Sequence, residues 1–523
     1  MLTGARPALV EQVESPSEAP HQISLLSLTE ERSPATARKT SRVREDEPLP
    51  ENVTETFEIE LPGEGRIRVI PRHLGELGAA FPAPPGNLKP AERPGHLKEQ
   101  IRQRAKQVYQ TVEEVEAEEP TLALVEVLNY RSKPLRQLFG VLRDPKPALR
   151  LGFAQRGRVS QFTTGALSDE RPQDPAAALK DLRIRCQKAV LDGLRHLGYL
   201  PGTIDFEPTT GRVLPEELQV AGVWVVRLTR KRGFTRVHLP VVVLMHTTRP
   251  RVYAWIPDGK PIRSYYQALL DITRMTQQDV QRNRQKTVLN ALSLSLQRVA
   301  EREGDMLILA VAQNARLTWR GVGNERLATD AIRWDRDDPA VPVDDLPGRI
   351  RLIRLRTSAQ NETPEWFLPH VKPGKGFVQG VWQERTLPRL FYNNAPRSHT
   401  MKSSGTRGKQ QNPGEYHALP SLLEIQVAAL QAGEEEQAAD WALAIDQWRR
   451  MGFLTSGHTL LPLPLDWAKK MEEYARVIGP WLLDEWDDED DEVDEEDLEP
   501  EEEHQMRFEF EEEEEGYSEE DSQ

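Results

Sequence analysis

The chain contains only one cysteine, Cys186, among its 523 residues. A single thiol excludes an intramolecular disulfide framework and any zinc site built on several cysteines. Long apolar runs are missing too, since the best candidate, residues 239–245, has the length of a buried strand and cannot cross a bilayer. The first eighteen residues contain acids and prolines where a secretory signal would be apolar. These absences predict a soluble, cytoplasmic protein with no membrane partner.

The net charge of −15 combines two opposite parts. Residues 484–523 contain 25 acidic residues and one arginine, a net charge of −24, and residues 1–60 carry −6. The remaining body, residues 61–483, therefore carries +15. A basic body binds polyanions by releasing their condensed counterions, so nucleic acid is the favoured partner. An ordinary solvated surface is the alternative that charge alone leaves open.

The spacing of apolar residues predicts a compact α/β domain over residues 120–200. Its predicted elements are a strand at 121–130, a short helix at 131–144, short strands at 148–154 and 159–164, and an amphipathic helix at 174–200. The apolar positions that recur at helical spacing in the last element are Leu179, Leu182, Cys186, Val190, Leu194 and Leu197. Asp174 and Pro175 are suited to start this helix and Gly198 to end it.

A second unit begins near residue 206 with three consecutive strand patterns. These patterns lie at 220–230, 238–247 and 251–258, and a long helical stretch follows to about residue 303. The run at 305–312 is wholly apolar after Asp305, which is typical of a central strand buried on both faces. Further strands are predicted at 348–357, within 376–394 and at 424–430, with helices at 434–450 and 465–477. This order favours an RNase H-like sheet.

Several ordered segments resemble one protein family. LRLGFAQRGRVSQF (149–162) resembles the MID domain of prokaryotic Argonaute/PIWI proteins. The segments that resemble the RNase H-like PIWI module of the pPIWI-RE family are HLPVVVLMHTTRPRVYAWIPDG (238–259), AVAQNARLTW (310–319), YHALPSLLEIQV (416–427) and LLPLPLDWAKKMEEYA (460–475). The resemblance covers roughly residues 120–478, although members of the family are usually longer at the N-terminus. The family is named for an invariant arginine and glutamate.

The resemblance implies an α/β protein with a Rossmann-like MID domain followed by an RNase H-like PIWI domain with a mixed sheet. The expected divisions are a disordered lead (1–60), a linker or irregular extension with a helix (61–118), a MID-like domain (119–205), a PIWI domain (206–480) and an acidic disordered tail (481–523).

The function implied by the resemblance is guide-strand binding in a prokaryotic antiviral defence system. The expected partners are a single-stranded RNA or DNA guide with its paired target, together with a helicase and a restriction-endonuclease-like protein. One alternative is an active guide-directed nuclease, and another is a scaffold that only joins helicase and nuclease partners. No cofactor is expected beyond Mg²⁺ at a guide 5′ phosphate.

A terminal phosphate needs clustered N–H donors and fixed positive charge. The residues expected to hold the guide 5′ end are Lys146, Arg150, Arg158, Gln161 and Lys188. Gln161 and Lys188 take this role from the glutamine and lysines at comparable places in MID domains. The alternative is that these arginines and lysines are merely solvated.

The family arginine and glutamate are expected at Arg316 and Glu424. Arg316 follows the apolar strand at 305–312, and Glu424 is expected at the mouth of the strand at 424–430. An arginine–carboxylate pair there would orient Asn314 or Arg316 towards the guide. An ordinary structural ion pair is equally open.

RNase H chemistry needs several carboxylates converging on two Mg²⁺ ions. The first strand offers Trp224 and Arg227 at the expected place, and the buried strand ends in Val311 and Ala312. Only Asp466 falls near the last expected ligand, as a candidate remnant. One carboxylate cannot organise two metal ions, so no catalytic residue is assigned and loss of slicing activity is expected.

Two further segments carry strong charge. The polar stretch at 393–417 is expected to be a mobile basic loop that contacts a nucleic-acid backbone, or simply a surface loop. Its cations are Arg397, Lys402, Arg407 and Lys409. The acidic tail could compete with nucleic acid for the basic body, preserve solubility or contact a basic partner.

Overall fold

A computed structural model of the protein describes most of the chain between residues 11 and 477. The described residues are 11–13, 57–60, 66–70, 72, 74–82, 85, 89, 92–113, 120–127, 144–164, 175–200, 214–215, 217–228, 237–275, 285–334, 338–357, 362–363, 368, 378–395, 421–431, 436–450, 459–475 and 477. The predicted short helix at 131–144 and most of the predicted basic loop lie outside them.

The strands of the described part are numbered in chain order. They are β1 (Glu11–Val13), β2 (Phe57–Glu60), β3 (Arg66–Val69), β4 (Thr121–Val127), β5 (Arg158–Thr164), β6 (Leu218–Leu228), β7 (Val237–His246), β8 (Val252–Trp255), β9 (Arg263–Ser264), β10 (Asp305–Val311), β11 (Ala331–Ile332), β12 (Val341–Pro342), β13 (Arg349–Thr357), β14 (Gly380–Gln383), β15 (Leu390–Ala395) and β16 (Ser421–Ala429).

The helices of the described part follow the same convention. They are α1 (Arg93–Thr111), α2 (Lys146–Gln155), α3 (Pro175–His196), α4 (Tyr265–Arg274), α5 (Gln285–Glu303), α6 (Ala312–Ala315), α7 (Ala438–Arg450), α8 (Leu463–Lys470) and α9 (Glu472–Ala475). Across the residues that the structure describes, no helix combines the length and the apolar character needed to cross a membrane.

A ten-stranded mixed sheet forms the centre of the molecule. Its strand order is β1-β14-β15-β16-β13-β10-β6-β7-β8-β9. β10 is parallel to both of its neighbours, β6 and β13, whereas β6, β7, β8 and β9 form an antiparallel meander. The chain therefore leaves β6, β10 and β13 through the same edge of the sheet, where their carboxyl ends meet.

The central strand β10 supplies side chains to two cores. All seven of its residues, Asp305 included, are buried, as the apolar run that follows Asp305 predicts. Alternate side chains point to opposite faces, so Leu307 and Leu309 join the core beneath α4, α7 and α8. Met306 and Ile308 join the core beneath α5. The sheet is thus covered on both sides, which is the reason for its continuous apolar sequence.

The N-terminal α/β unit is built on the parallel pair β4 and β5. The predicted strand at 148–154 is wrong, because residues 146–155 form the helix α2. Nearly every side chain of α2 is buried, so its sequence lacks the polar stripe that would reveal a helical period. Pro147 in the first turn and the run of alanine, leucine and arginine favour a helix.

The close approach of α1 and α2 depends on Gly152. A Cβ atom at this position would lie 2.6 Å from the Cβ of Val108 and 2.8 Å from the carbonyl oxygen of Ala105. The backbone of α2 at Gly152 therefore packs directly against the side chain of Val108 and the backbone of Ala105 on α1. This contact joins the charged helix α1 to the α/β unit.

The predicted apolar face of α3 is confirmed at Leu194 and Leu197, which pack against the core, and wrong at Val190. Val190 is 44% exposed, and the buried side of the helix passes through Ala189, Gly193 and His196. The helix does end as expected: Gly198 adopts φ +73°, and the amide of Tyr199 bonds back to the carbonyl of Leu194. Near the C-terminus, the single helix predicted at 465–477 is two short helices, α8 and α9, which meet at Met471.

Candidate functional site

Arg150 extends from the middle of α2 towards the C-terminal helix α9 and is only 8% exposed. Its guanidinium carbon lies 4.2 Å from the ring centroid of Tyr474 and 5.3 Å from that of Phe162. Nη1 donates to the carbonyl of Ser160 at 3.4 Å, and Nη2 lies 3.8 Å from a carboxylate oxygen of Glu473. The predicted phosphate ligand therefore joins the α/β unit to the end of the second domain.

We call the surrounding polar contact the junction. Its members are Arg150, Ser160, Gln161, Asp192, Arg195 and His196 from the α/β unit and Asp466, Lys470, Glu473 and Tyr474 from α8 and α9.

Asp192 lies at the centre of the junction. Its carboxylate accepts hydrogen bonds from Gln161 Nε2 at 2.9 Å and Arg195 Nε at 2.8 Å, and Lys470 Nζ lies 3.6 Å away. Burial alone would raise the pKa of Asp192, but the positive charges of Arg195 and Lys470 hold it well below its usual value. Asp192 is therefore ionised at neutral pH.

The hydroxyl of Tyr474 bonds three groups of the α/β unit. It accepts the N–H of Ser160 at 3.1 Å and donates to the carbonyl of Ser160 at 3.0 Å. It also lies 2.9 Å from Nδ1 of His196, whose Nε2 lies 2.6 Å from Arg195 Nη2. Arginine has no acceptor, so Nε2 accepts and Nδ1 carries the proton of a neutral imidazole. Burial and then the charge of Arg195 lower the pKa of His196, which agrees with a neutral ring.

The helix α9 also contacts the large sheet. Glu472 accepts a hydrogen bond from the indole Nε1 of Trp224 on β6 at 2.7 Å. Its three consecutive residues Glu472, Glu473 and Tyr474 thus bind β6, α2 and β5 respectively. This short helix braces the α/β unit against the sheet.

The remaining residues predicted to bind the guide 5′ end lie around the junction. Lys146 is one turn before Arg150 on α2, and exposed Lys188 is one turn before Asp192 on α3, so each shares a helix face with a junction residue. Arg158 bonds elsewhere: its Nη1 donates to the carbonyls of Glu113 and Arg156. The structure thus brings Arg150 and Gln161 into one network and leaves Arg158 in contact with the segment after α1.

The shared carboxyl edge of β6, β10 and β13 is filled by amide and guanidinium groups. Asn314 exchanges two hydrogen bonds with the backbone of Val225, at 2.6 and 2.8 Å. Gln313 donates to the carbonyl of Thr357 at 2.8 Å and accepts its N–H at 3.3 Å. Arg227 donates to the backbone carbonyls of Gln313 and Asn314, at 2.7 and 3.0 Å. The helix α6 thereby fastens the ends of β6 and β13 together.

Arg316 and Glu424, the predicted family pair, have separate partners. Arg316 lies 2.6 Å from Glu362. Glu424 is 1% exposed and accepts two hydrogen bonds from Arg356, at 2.6 and 2.7 Å, with Arg354 at 3.4 Å. Glu424 also lies inside β16, three residues after its start, so its expected place at the mouth of the strand is wrong. The strand is longer than its apolar core because Ser421–Leu423 pair with β15.

Asp466, the candidate catalytic remnant, lies in the first turn of α8. Its nearest cation is Lys470 at 3.9 Å, and burial raises its pKa above the usual value. Within the described residues no three side chains of histidine, cysteine, aspartate or glutamate group as ligands for a metal ion. The four cations predicted to contact a nucleic-acid backbone, Arg397 to Lys409, fall outside the residues that the structure describes.

Two family models match most of the chain. Residues 59–205 match the MID domain of pPIWI_RE, and residues 220–476 match the RNaseH domain of pPIWI_RE. The chain belongs to the pPIWI_RE family. The predicted family, and the predicted α/β class with a MID domain before an RNase H-like domain with a mixed sheet, are therefore confirmed. The domain boundaries drawn from the sequence stay predictions, as do the individual site residues.

Solved structures of Argonaute and PIWI proteins are similar over most of this pPIWI_RE chain. Clostridium butyricum Argonaute bound to a guide DNA and a 19-mer target DNA is 11% identical with a TM-score of 0.37, covering 74% of this chain and 40% of that one. Drosophila Piwi is 12% identical with a TM-score of 0.40, covering 81% and 53%. This chain thus spans about half the length of those proteins or less. No curated protein matches it.

Asp192, Arg195, Lys470 and Tyr474 were not predicted as site residues. Lys470 and Tyr474 stand in the charged segment AKKMEEYA, whose pattern is that of an ordinary surface helix. Asp192 follows Lys188 by one helical turn, which is the only sequence signal that linked it to a predicted ligand. Their common role depends on two segments almost 300 residues apart.

Proposed function

We propose that this pPIWI_RE protein anchors the 5′ end of a single-stranded nucleic-acid guide at the junction and presents the rest of the strand for base pairing. Sequence is then read by pairing, and the protein holds the strand by shape and charge. The guide is RNA or DNA, and the setting is a prokaryotic defence system in which a helicase and a restriction-endonuclease-like protein supply the effector steps.

The observation that carries this proposal is the convergence of donors at the junction. Gln161 from β5 and Lys470 from α8 both contact Asp192, and Arg150 from α2 lies beside Glu473 of α9. Lys188 shares a face of α3 with Asp192. A strand terminus needs such polar groups at a fixed place, held by elements that cannot drift. Membership of a family with MID and RNaseH domains supports the same assignment.

The charge of the chain supports a strand that continues beyond its terminus. The body from residue 61 to 483 carries +15, and Lys188 is exposed beside the junction. Backbone phosphates bind such cations without regard to sequence, which suits a protein that must accept many guides.

The proposal includes no nuclease activity of its own. The edge where a two-metal centre would need carboxylates is occupied by Asn314, Gln313 and Arg227, each bonded to backbone. These groups bridge β6 and β13, so they stabilise the sheet edge as well as filling it. Mg²⁺, if the protein uses it, would serve at the guide terminus as a bridging cation.

The test is to purify the full chain from its own host and sequence the nucleic acid that accompanies it. Short strands of defined length and a constant 5′ position are expected. Oligonucleotide binding is then measured for wild type, Lys188→Glu and Lys470→Glu, with Lys106→Glu on α1 as a control of equal charge change. The proposal fails if no strand copurifies and the junction variants bind oligonucleotides as tightly as the control does.

Cleavage is measured in the same preparation with a paired target and Mg²⁺. No cleavage above the rate without protein is expected. Metal-dependent cutting at a fixed distance from the guide 5′ end would establish the active nuclease instead.

A further inference from the structure

The cations of the junction are already matched by carboxylates. Arg195 and Lys470 lie 2.8 and 3.6 Å from Asp192, and Arg150 lies 3.8 Å from Glu473. Arg195 is 1% exposed and Arg150 is 8% exposed, so neither guanidinium is able to swing out to a new partner. A ligand that enters the junction therefore meets an internally neutralised site.

Asp192 is the acid that an incoming strand end would face. Its side chain keeps 23% of its surface exposed while three cationic or amide donors hold it in place. Lys470 beside it is 25% exposed, so this carboxylate and this ammonium form the accessible part of the network. The charge of Asp192 is fixed because its neighbours hold its pKa well below the usual value.

A terminal phosphate fits this arrangement poorly. It carries a charge of about −1.5 to −2 at neutral pH, and like charges at contact distance repel strongly where solvent is partly excluded. Glu473, 42% exposed beside Arg150, adds a second negative charge on the same side. Displacing Asp192 would leave Arg195 buried without its ion pair, which is costly.

A terminal hydroxyl fits the same groups. A carboxylate offers about four acceptor positions. Arg195 Nε and Gln161 Nε2 occupy two of them, and Lys470 lies beside a third. One position is left for a hydroxyl donor, and the bond would be charge-assisted.

We infer that the junction takes a guide whose 5′ end is a hydroxyl in preference to a phosphate, and that Asp192 determines this specificity. The inference rests on the proposed function, because it names the terminal group that the proposed guide carries. Exposed Lys188, one turn from Asp192, is placed to hold the first internucleotide phosphate rather than a terminal one.

The test compares two synthetic oligonucleotides of one sequence that differ only in a 5′ hydroxyl or a 5′ phosphate. Their affinities for the full chain are measured as DNA and as RNA, each with and without Mg²⁺. The hydroxyl form is expected to bind about tenfold more tightly. Equal affinity, or tighter binding of the phosphate form under any of these conditions, would overturn the inference.

Asp192→Asn keeps the size of the side chain and removes its charge. The preference for the hydroxyl should disappear in this variant, chiefly because the phosphate form gains affinity. Glu473→Gln, which keeps the size of the side chain beside Arg150, should shift the ratio in the same direction. Asp345→Asn, on an exposed turn before β13, is the control of equal charge change and should keep the wild-type ratio.

The two proposals fail differently. If the wild-type chain retains neither oligonucleotide, the proposed guide binding is lost. If it retains both but favours the phosphate, guide binding stands and only the role of Asp192 is wrong.

Discussion

Replacing Gly222 with alanine tests how closely α8 is seated on the sheet. Gly222 lies in β6, opposite the start of α8. A Cβ atom there would lie 2.5 Å from the carbonyl carbon of Pro464 and 2.6 Å from the amide nitrogen of Leu465. Ordinary contacts between such atoms are about 3.5–4.0 Å, so α8 would have to recede by about 1 Å.

Two effects of the Gly222→Ala substitution oppose each other. Alanine in a strand interior gains roughly 0.5–1 kcal/mol over glycine from backbone entropy. Overpacking of a closely packed contact costs about 1–3 kcal/mol, and here the obstructing atoms are backbone, which cannot turn aside as a side chain can. We therefore expect a net loss of about 1–2 kcal/mol.

The assay is chemical denaturation followed by circular dichroism, with the midpoint compared at a constant slope. Gly95→Ala is the matched control, because a Cβ atom at this exposed position of α1 meets nothing within 4 Å. The control should be as stable as wild type or slightly more stable. A Gly222→Ala midpoint equal to that of the control would refute the close seating of α8.

Four further predictions concern other contacts. Tyr474→Phe should lower the free energy of unfolding by about 1–3 kcal/mol, because the buried N–H of Ser160, which donates to the Tyr474 hydroxyl, would lose its acceptor. Glu424→Gln should cost about 3–5 kcal/mol, since buried Arg354 and largely buried Arg356 would lose their carboxylate, whereas Glu362→Gln at a pair open to solvent should cost less than about 1 kcal/mol. Asp466→Asn should raise the unfolding midpoint near pH 7 and leave it unchanged near pH 3, because burial raises the pKa of this carboxyl. Deleting 484–523 should strengthen binding of single-stranded DNA at low salt.

The expected direction of the stability change in Asp466→Asn follows from proton linkage. A folded-state pKa above the usual value means that the folded protein holds the proton more tightly than the unfolded chain does. Ionisation therefore costs stability above the usual pKa of an aspartate and costs nothing below it. An Asp466→Asn variant that lost stability near pH 7 would contradict this reasoning, and unfolding curves at the two pH values provide the measurement.

The predictions for the tail deletion and for Tyr474→Phe can each be contradicted by a single result. Unchanged DNA affinity of the shortened chain at low salt would show that the −24 charge does not oppose nucleic acid. A fully stable Tyr474→Phe variant would mean that water replaces the hydroxyl at Ser160.

Much of the large sheet follows from local sequence. The apolar run that follows Asp305 and the three patterns between 220 and 258 predict a buried central strand beside a meander, because each run has the apolar period and the length of a strand. The structure has these elements with bounds shifted by a few residues. The end of α3 is equally local, since only glycine adopts the positive φ of Gly198 without strain.

Elements buried on every side were harder to predict. The helix α2 lacks the alternation between apolar and polar positions that separates helix from strand. The strand β13 was predicted, but the sequence does not show which partners its arginines bind. In β13, Arg351 is buried beside Asp305 and Glu436, whereas Arg354 and Arg356 point to the opposite face towards Glu424. Four arginines in one strand indicate that it has polar partners, but the sequence does not identify which residue pairs with each arginine.

The sequence by itself determined the two-part α/β organisation, the basic body with its acidic tail, and the candidates Arg150 and Gln161. Tertiary structure alone decided what those candidates touch. Asp192 and Tyr474 are 282 positions apart, and no local pattern records that folding brings both to His196 and its neighbours. Charge and hydrogen bonding act over a few ångströms in space, whereas sequence patterns report only the neighbours along the chain.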